Sequence, residues 1–130
     1  MIIAVDFDNT IATKTLDATI GDEVPGALAA IREFKSRGDT VILWTCRGGD
    51  LLDAALQWAG DRGIEFDAVN KNVVAFETSC KVWADRYIDD AALGVPLVGH
   101  ARTGHNVVDW SRVSRMLLGS TADCGATECL

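Results

Sequence analysis

Short apolar runs of strand length alternate with stretches of helical period along this chain, and that alternation constrains the fold more than any other feature. Ile2-Ile3-Ala4-Val5 and Thr40 to Trp44 (TVILW) show no polar alternation, so each predicted strand must be covered on both faces. Residues 25–38 follow the first run, with Leu28, Ile31 and Phe34 at helical spacing, Pro25 suited to the first turn and Gly38 to the stop. Asp50 to Arg62 follows the second, with Leu52, Ala55, Leu56 and Ala59 on one face and Gly63 as its stop. Further strands are predicted over Phe66 to Val69, Arg86-Tyr87-Ile88 and Pro96-Leu97-Val98, and a last helix, capped by Asp109, over Trp110 to Leu118. This is the order of βαβ units: an α/β fold, with a three-layer Rossmann-like parallel sheet and helices on both faces.

The 130 residues suit one domain, expected over 1–118, and residues 119–130 lose periodicity and read as a flexible C-terminal tail. Cys46, Cys80, Cys124 and Cys129 are irregularly spaced and read as reduced thiols; a metal clip at Cys124 and Cys129 would need partners the sequence does not offer. No run of about 18 apolar residues predicts a membrane span. No basic region precedes Met1 to Val5, and Asp6 and Asp8 interrupt it early, so no signal peptide is expected and a cytoplasmic location is. Twelve Lys and Arg against nineteen Asp and Glu give a net charge of -7. Such a balance argues against a sequence-independent hold on nucleic acid or an anionic membrane. A phosphorylated partner, small or carried on a larger molecule, remains compatible, because one local cation can reverse the field in a cleft.

Three predicted strands run directly into polar clusters: Asp6-Phe7-Asp8-Asn9-Thr10, Thr45-Cys46-Arg47 and Asp89-Asp90. In an open parallel sheet those carboxyl ends share one edge, where ligands bind. Asp6 and Asp8 would leave the same face of an extended backbone roughly 6 to 7 Å apart, with Phe7 pointing into the core. Two carboxylates at that spacing repel by about 3 kcal/mol at an effective dielectric of 20, so the cluster calls for a cation or a retained proton. Mg2+ suits it, being a hard cation that prefers oxygen ligands and keeps waters that a phosphate oxygen can replace. Asp6 could attack phosphorus, Asp8 could give and take the proton, Thr45 could donate to a phosphate oxygen, and Lys81, eight residues before Asp89, could neutralise the transferring group. Arg47 could bind a second substrate anion or approach the second helix as a surface cap.

These residues resemble the four motifs of the haloacid dehalogenase superfamily of phosphohydrolases: DFDNT after a buried strand, Thr45 after the next, Lys81, then Asp89-Asp90 after a later strand. The resemblance covers roughly residues 1 to 98. It implies that Asp6 is the nucleophile, Asp8 the general acid and base, Thr45 and Lys81 the phosphate ligands and Asp89 a direct ligand of Mg2+, with Asp6 and the Asp8 backbone carbonyl completing the protein's share of the shell. Asp90 is expected behind the metal ligands, since adjacent residues of a strand face opposite sides. An acid at Asp8 resembles the phosphatases and phosphomutases of the superfamily, and the string from Lys81 to Asp90 resembles that of the deoxyribonucleotidases. Cap domains of this superfamily are inserted after the first motif or before the lysine; Ile11 to Val24 and Lys71 to Ser79 are too short to hold one. An open site is therefore expected, completed by a large substrate or by a second subunit of a homo-oligomer, with the Thr-rich loop Ile11 to Ile20 as a small flap.

Other chemistry-bearing residues read more plainly. His100 and His105 are expected as solvated loop histidines, Lys71 as a solvated lysine, and Gly48-Gly49 as a turn. Trp44, Trp58, Trp83 and Trp110 are expected to face the core, with no basic stripe to make them stacking platforms. A phosphoacceptor signalling domain is the main rival reading; its acceptor would have to be Asp67, which lies inside the third strand pattern. A catalytically silent binding subunit of the same fold is the other.

Overall fold

The computed structural model describes residues 1–73 and 80–119. In chain order the elements are β1 (Ile2–Val5), β2 (Ala12–Lys14), β3 (Ile20–Glu23), α1 (Ala27–Ser36), β4 (Thr40–Leu43), α2 (Gly49–Asp61), β5 (Ala68–Val69), β6 (Arg86–Ile88), β7 (Leu97–Gly99), β8 (Asn106–Val108) and α3 (Trp110–Leu118). Four strands form a parallel sheet in the order β5-β4-β1-β6, with β1 hydrogen-bonded to β4 on one side and β6 on the other. This is an α/β fold consistent with a Rossmann-like arrangement.

Topology decides where the helices sit. The chain steps from β1 to β4 to β5 in one direction, and successive right-handed crossovers in one direction fall on one face of a sheet. Accordingly Leu28, Ile31 and Phe34 of α1 and Ala55 and Ala59 of α2 share one buried cluster with Ile3, Val5, Val41 and Leu43. On the other face Val82 and Ala84, shortly before β6, pack on Ala4, Ile42 and Ala68. Trp110 and Val113 of α3 rejoin the first cluster. Helices were expected on both faces; among the described residues all three lie on one, and the second face is covered by the chain leading into β6. Both faces are buried, as the unbroken apolar runs require, but a patch lined by two alanines and one isoleucine needs little to cover it.

Pro96 to Val98 was expected as the fifth strand of the sheet. Instead β7 pairs antiparallel with β8 in a separate hairpin, and Leu97 and Val98 are 38% and 47% exposed. The buried residues of that hairpin are Val107 and Val108, and the Val108 N–H donates to the Asn9 carbonyl at 3.0 Å. The expected Thr-rich loop is likewise a hairpin of β2 and β3, with an irregularity between Ala12 and Lys14. Gly21 is required there: a Cβ at this position would lie 2.0 Å from Thr13 Oγ1, the atom that accepts the Asp22 N–H. That hairpin is the whole insertion between β1 and α1.

Helix ends follow the sequence closely. α1 begins at Ala27, two residues after Pro25, behind Gly26 in the left-handed region at φ 84. Asp109 caps α3 by accepting the Arg112 N–H at 3.3 Å. Trp110 is buried, while Trp44 and Trp58 are half-buried; Trp83, expected in the core, is 43% exposed because only Val82 and Ala84 of its segment point into the second face. Cys46 and Cys80 are free thiols on the surface; Cys124, Cys129 and the expected tail over 120–130 lie outside the described residues. No helix among the described residues is long and apolar enough to cross a membrane.

Candidate functional site

β1 and β6 are neighbours in space but lie on opposite sides of a reversal in strand order. The carboxyl ends of two such strands open a crevice. Asp6 leaves β1 at this point, its N–H still donating to the Ile88 carbonyl at 2.9 Å. The backbone then tightens: the Phe7 carbonyl accepts from the N–H groups of Thr10, Ile11 and Ala12, and Asn9 takes φ 58, a conformation asparagine tolerates better than most residues. Phe7 is buried in the helix-side cluster, as its place between two aspartates predicts.

The turn returns Thr10 to the site. Its hydroxyl donates to Asp6 Oδ2 at 3.0 Å and accepts the Asp90 N–H at 3.1 Å, joining the β1 and β6 loops through one buried oxygen. The Thr10 carbonyl accepts Trp110 Nε1–H at 2.6 Å, which anchors the turn to α3.

Asp6, Asp89 and Asp90 each bring a carboxylate oxygen within 4.8 Å of the others. Burial raises the Asp6 carboxyl from its ordinary 3.8 to about 8, helped by the Asp89 charge and the Asp90 side chain and opposed by the Thr10 hydroxyl and the Phe7 backbone. Burial likewise raises Asp90. Three partly buried carboxyls so close together must keep protons or take a cation. The donor set is all oxygen, with no imidazole or thiolate, which fits a hard divalent ion. The cluster could therefore hold a metal ion.

Asp90 belongs to this group, although strand alternation would have turned it away. β6 ends at Ile88, so Asp89 and Asp90 lie in the turn beyond it, where alternation no longer holds. The Asp8 carboxylate takes no part in the cluster. Both its oxygens accept from Arg47, Oδ2 from Nε at 3.0 Å and Oδ1 from Nη2 at 2.7 Å. Arg47 was expected to bind a substrate anion or to approach α2 at the surface; it lies buried, paired with Asp8, and not at the surface.

Thr45 follows β4 and its Oγ1 accepts the Arg47 N–H at 3.1 Å. Asn70 fixes its backbone in both directions, Oδ1 accepting the Thr45 N–H at 2.8 Å and Nδ2 donating to the Thr45 carbonyl at 2.9 Å. Lys81 is exposed, with Nζ 5.3 Å from the Tyr87 ring centroid on the side of the sheet away from the helices; it adjoins 74–79, which lie outside the described residues. Thr10 and Asn70 are the contributors that motif reading left without a role. Asn70 carried a usable signal, being the polar residue directly after β5, the position Asp6 holds after β1.

Asp67 lies at the other end of the sheet. It precedes β5, accepts the Val41 N–H at 2.8 Å and pairs with Lys35 at 3.2 Å, a strand-start contact remote from the carboxyl edge. His100 and His105 flank the β7–β8 turn, with His100 Nδ1 accepting from the Arg102 and Thr103 N–H groups. Neither histidine joins the carboxylates.

Fold and site together define an α/β protein whose central parallel sheet carries a candidate acidic metal site at its topological switch point. A solved structure of a conserved protein from Bacteroides thetaiotaomicron is similar to it, with a TM-score of 0.75 and 34% identity over 97% of this chain and 98% of that one. The chain belongs to the same family as that protein. No protein-family model matches the chain, and no curated protein matches it.

Proposed function

We propose that this protein is a Mg2+-dependent phosphomonoesterase of the haloacid dehalogenase superfamily, working through an aspartyl-phosphate on Asp6. The observation that carries the reading is the convergence of Asp6, Asp89 and Asp90 at the β1–β6 crevice, with Asp8 on the same turn as Asp6. Mg2+ bound by these carboxylates would offset their repulsion and the charge of an incoming phosphoryl group. Asp6, oriented by Thr10, attacks phosphorus through one carboxylate oxygen as the ester P–O bond breaks. Asp8 gives its proton to the leaving oxygen, then takes one from the water that attacks the acyl phosphate. That second displacement releases inorganic phosphate and regenerates Asp6. Thr45 and Lys81 are the proposed ligands of the phosphoryl oxygens.

Within this reading the site is capless, since one short hairpin is the insertion between β1 and α1. It would admit a small phosphorylated molecule, an exposed phosphate on a larger one, or a neighbouring copy that completes the site, and the enzyme would act in the cytoplasm. The structural use of Asp67 argues against the signalling alternative. The test is phosphate release from sugar phosphates, nucleotides, phosphoserine, phosphotyrosine and an aryl phosphate, with and without Mg2+. Mg2+-dependent turnover of at least one, abolished by Asp6→Asn, is expected; no turnover, or turnover that survives Asp6→Asn, contradicts the proposal.

A further inference from the structure

The Asp8–Arg47 pair is more tightly built than a surface ion pair. The Arg47 side chain is 5% exposed and that of Asp8 26%. Beyond the two bonds to Asp8, Nη1 points to the Leu51 carbonyl at 3.4 Å and the guanidinium carbon lies 5.1 Å from the Phe7 ring centroid. The Arg47 N–H is held by Thr45 Oγ1 at 3.1 Å. One side chain thus ties the turn after β1 to the loop after β4 and to the first turn of α2. Withdrawing a guanidinium from water is costly unless its donors are matched, and here the matching partner is Asp8.

We propose that Arg47 is a positioning residue that fixes the Asp8 carboxylate for proton transfer and does not bind the substrate. The inference rests on the phosphatase reading, in which Asp8 moves the proton. A two-bond fork sets both the location and the plane of a carboxylate, which a single-point cation such as lysine does not. The fork uses one lone pair of each oxygen and leaves the other to meet a substrate oxygen or a water. Proton transfer is sensitive to such placement, because a donor displaced by about 1 Å loses about 100-fold in rate. With so little of its side chain exposed, Arg47 has little surface left to meet a substrate anion.

A double-mutant cycle on an aryl phosphate tests this, using Arg47→Met, Asp8→Asn and the double variant, with thermal unfolding recorded for each. Arg47→Met should lower kcat about 100-fold with KM within about 3-fold of wild type, and should add little to Asp8→Asn, because both changes remove the same function. Guanidinium ion added to Arg47→Met should restore part of kcat and should leave Asp8→Asn unchanged. Arg47→Gln takes the place of Arg47→Met in the same cycle if the latter does not fold. Multiplying effects in the double variant, or a raised KM with kcat kept, would overturn the assignment of Arg47 alone. Absence of turnover by the wild-type protein would overturn the phosphatase reading and this inference with it.

Discussion

At the scale of single residues, Thr10 and Asp6 bear the most weight. The Thr10 hydroxyl touches both the Asp6 carboxylate and the backbone of Asp90. Thr10→Val keeps the buried shape and removes both bonds, so it should weaken Mg2+ activation by about 10- to 100-fold, the usual loss when a group orienting a metal ligand is removed. A Mg2+ titration of the variant's activity, beside the wild type, checks this. Asp6 makes a separate prediction about pH. Its carboxyl sits near 3.8 in the unfolded chain and about 8 in the metal-free native state, so between those values the folded protein holds a proton that the unfolded chain has released. The stability this proton confers is complete below pH 3.8 and is lost as the pH rises toward 8. The metal-free unfolding midpoint of wild type, measured relative to Asp6→Asn, should therefore fall across that window, and a rising difference would contradict the account.

Elements differ in how far the sequence foretells them, and the difference has a physical cause. β1, β4 and the three helices carry an apolar run or a helical period strong enough to stand on local pattern alone. β3 does not, since Ile20-Gly21-Asp22-Glu23 has one large apolar residue and is half-exposed to exposed throughout. β8 is three residues long, and its burial comes from tertiary docking at Asn9. Pro96 to Val98 misleads in the opposite sense: a short apolar run says nothing about which strand it will pair with, and the neighbouring hairpin supplied a partner. Of the candidate site, Asp6 and Asp89 could be placed from their positions after strands, but the pairing of Asp8 with Arg47 depends on how two loops meet. The elements also carry a prediction. Trp110 in α3 donates to the Thr10 carbonyl, so Trp110→Phe should cost about 1 to 3 kcal/mol for the buried carbonyl left unpaired, read from denaturant unfolding. Asn70→Ala frees the Thr45 loop, and should lower activity with a smaller loss of stability because Asn70 is exposed.

For the whole molecule, strand order explains both the site and the distribution of helices. Stepping β1 to β4 to β5 and returning to β6 stacks α1 and α2 on one face and leaves a crevice between β1 and β6 where the acids gather. With the proposed nucleophile and the candidate metal ligands directly after the two strands that flank the reversal, metal binding there would be linked to folding. Mg2+ at about 100 times its dissociation constant should raise the stability of wild type by about 2.7 kcal/mol, with little effect on a variant lacking Asp6 and Asp89. The central claim is that Asp6 carries the phosphoryl group, and the most direct measurement is to quench turnover of an aryl phosphate in acid and locate the phosphorylated residue by peptide mass analysis. The account predicts phosphate on Asp6, dependent on Mg2+ and absent from Asp6→Asn. Phosphate found on Asp67, or turnover with no phosphoryl group on Asp6, would contradict it.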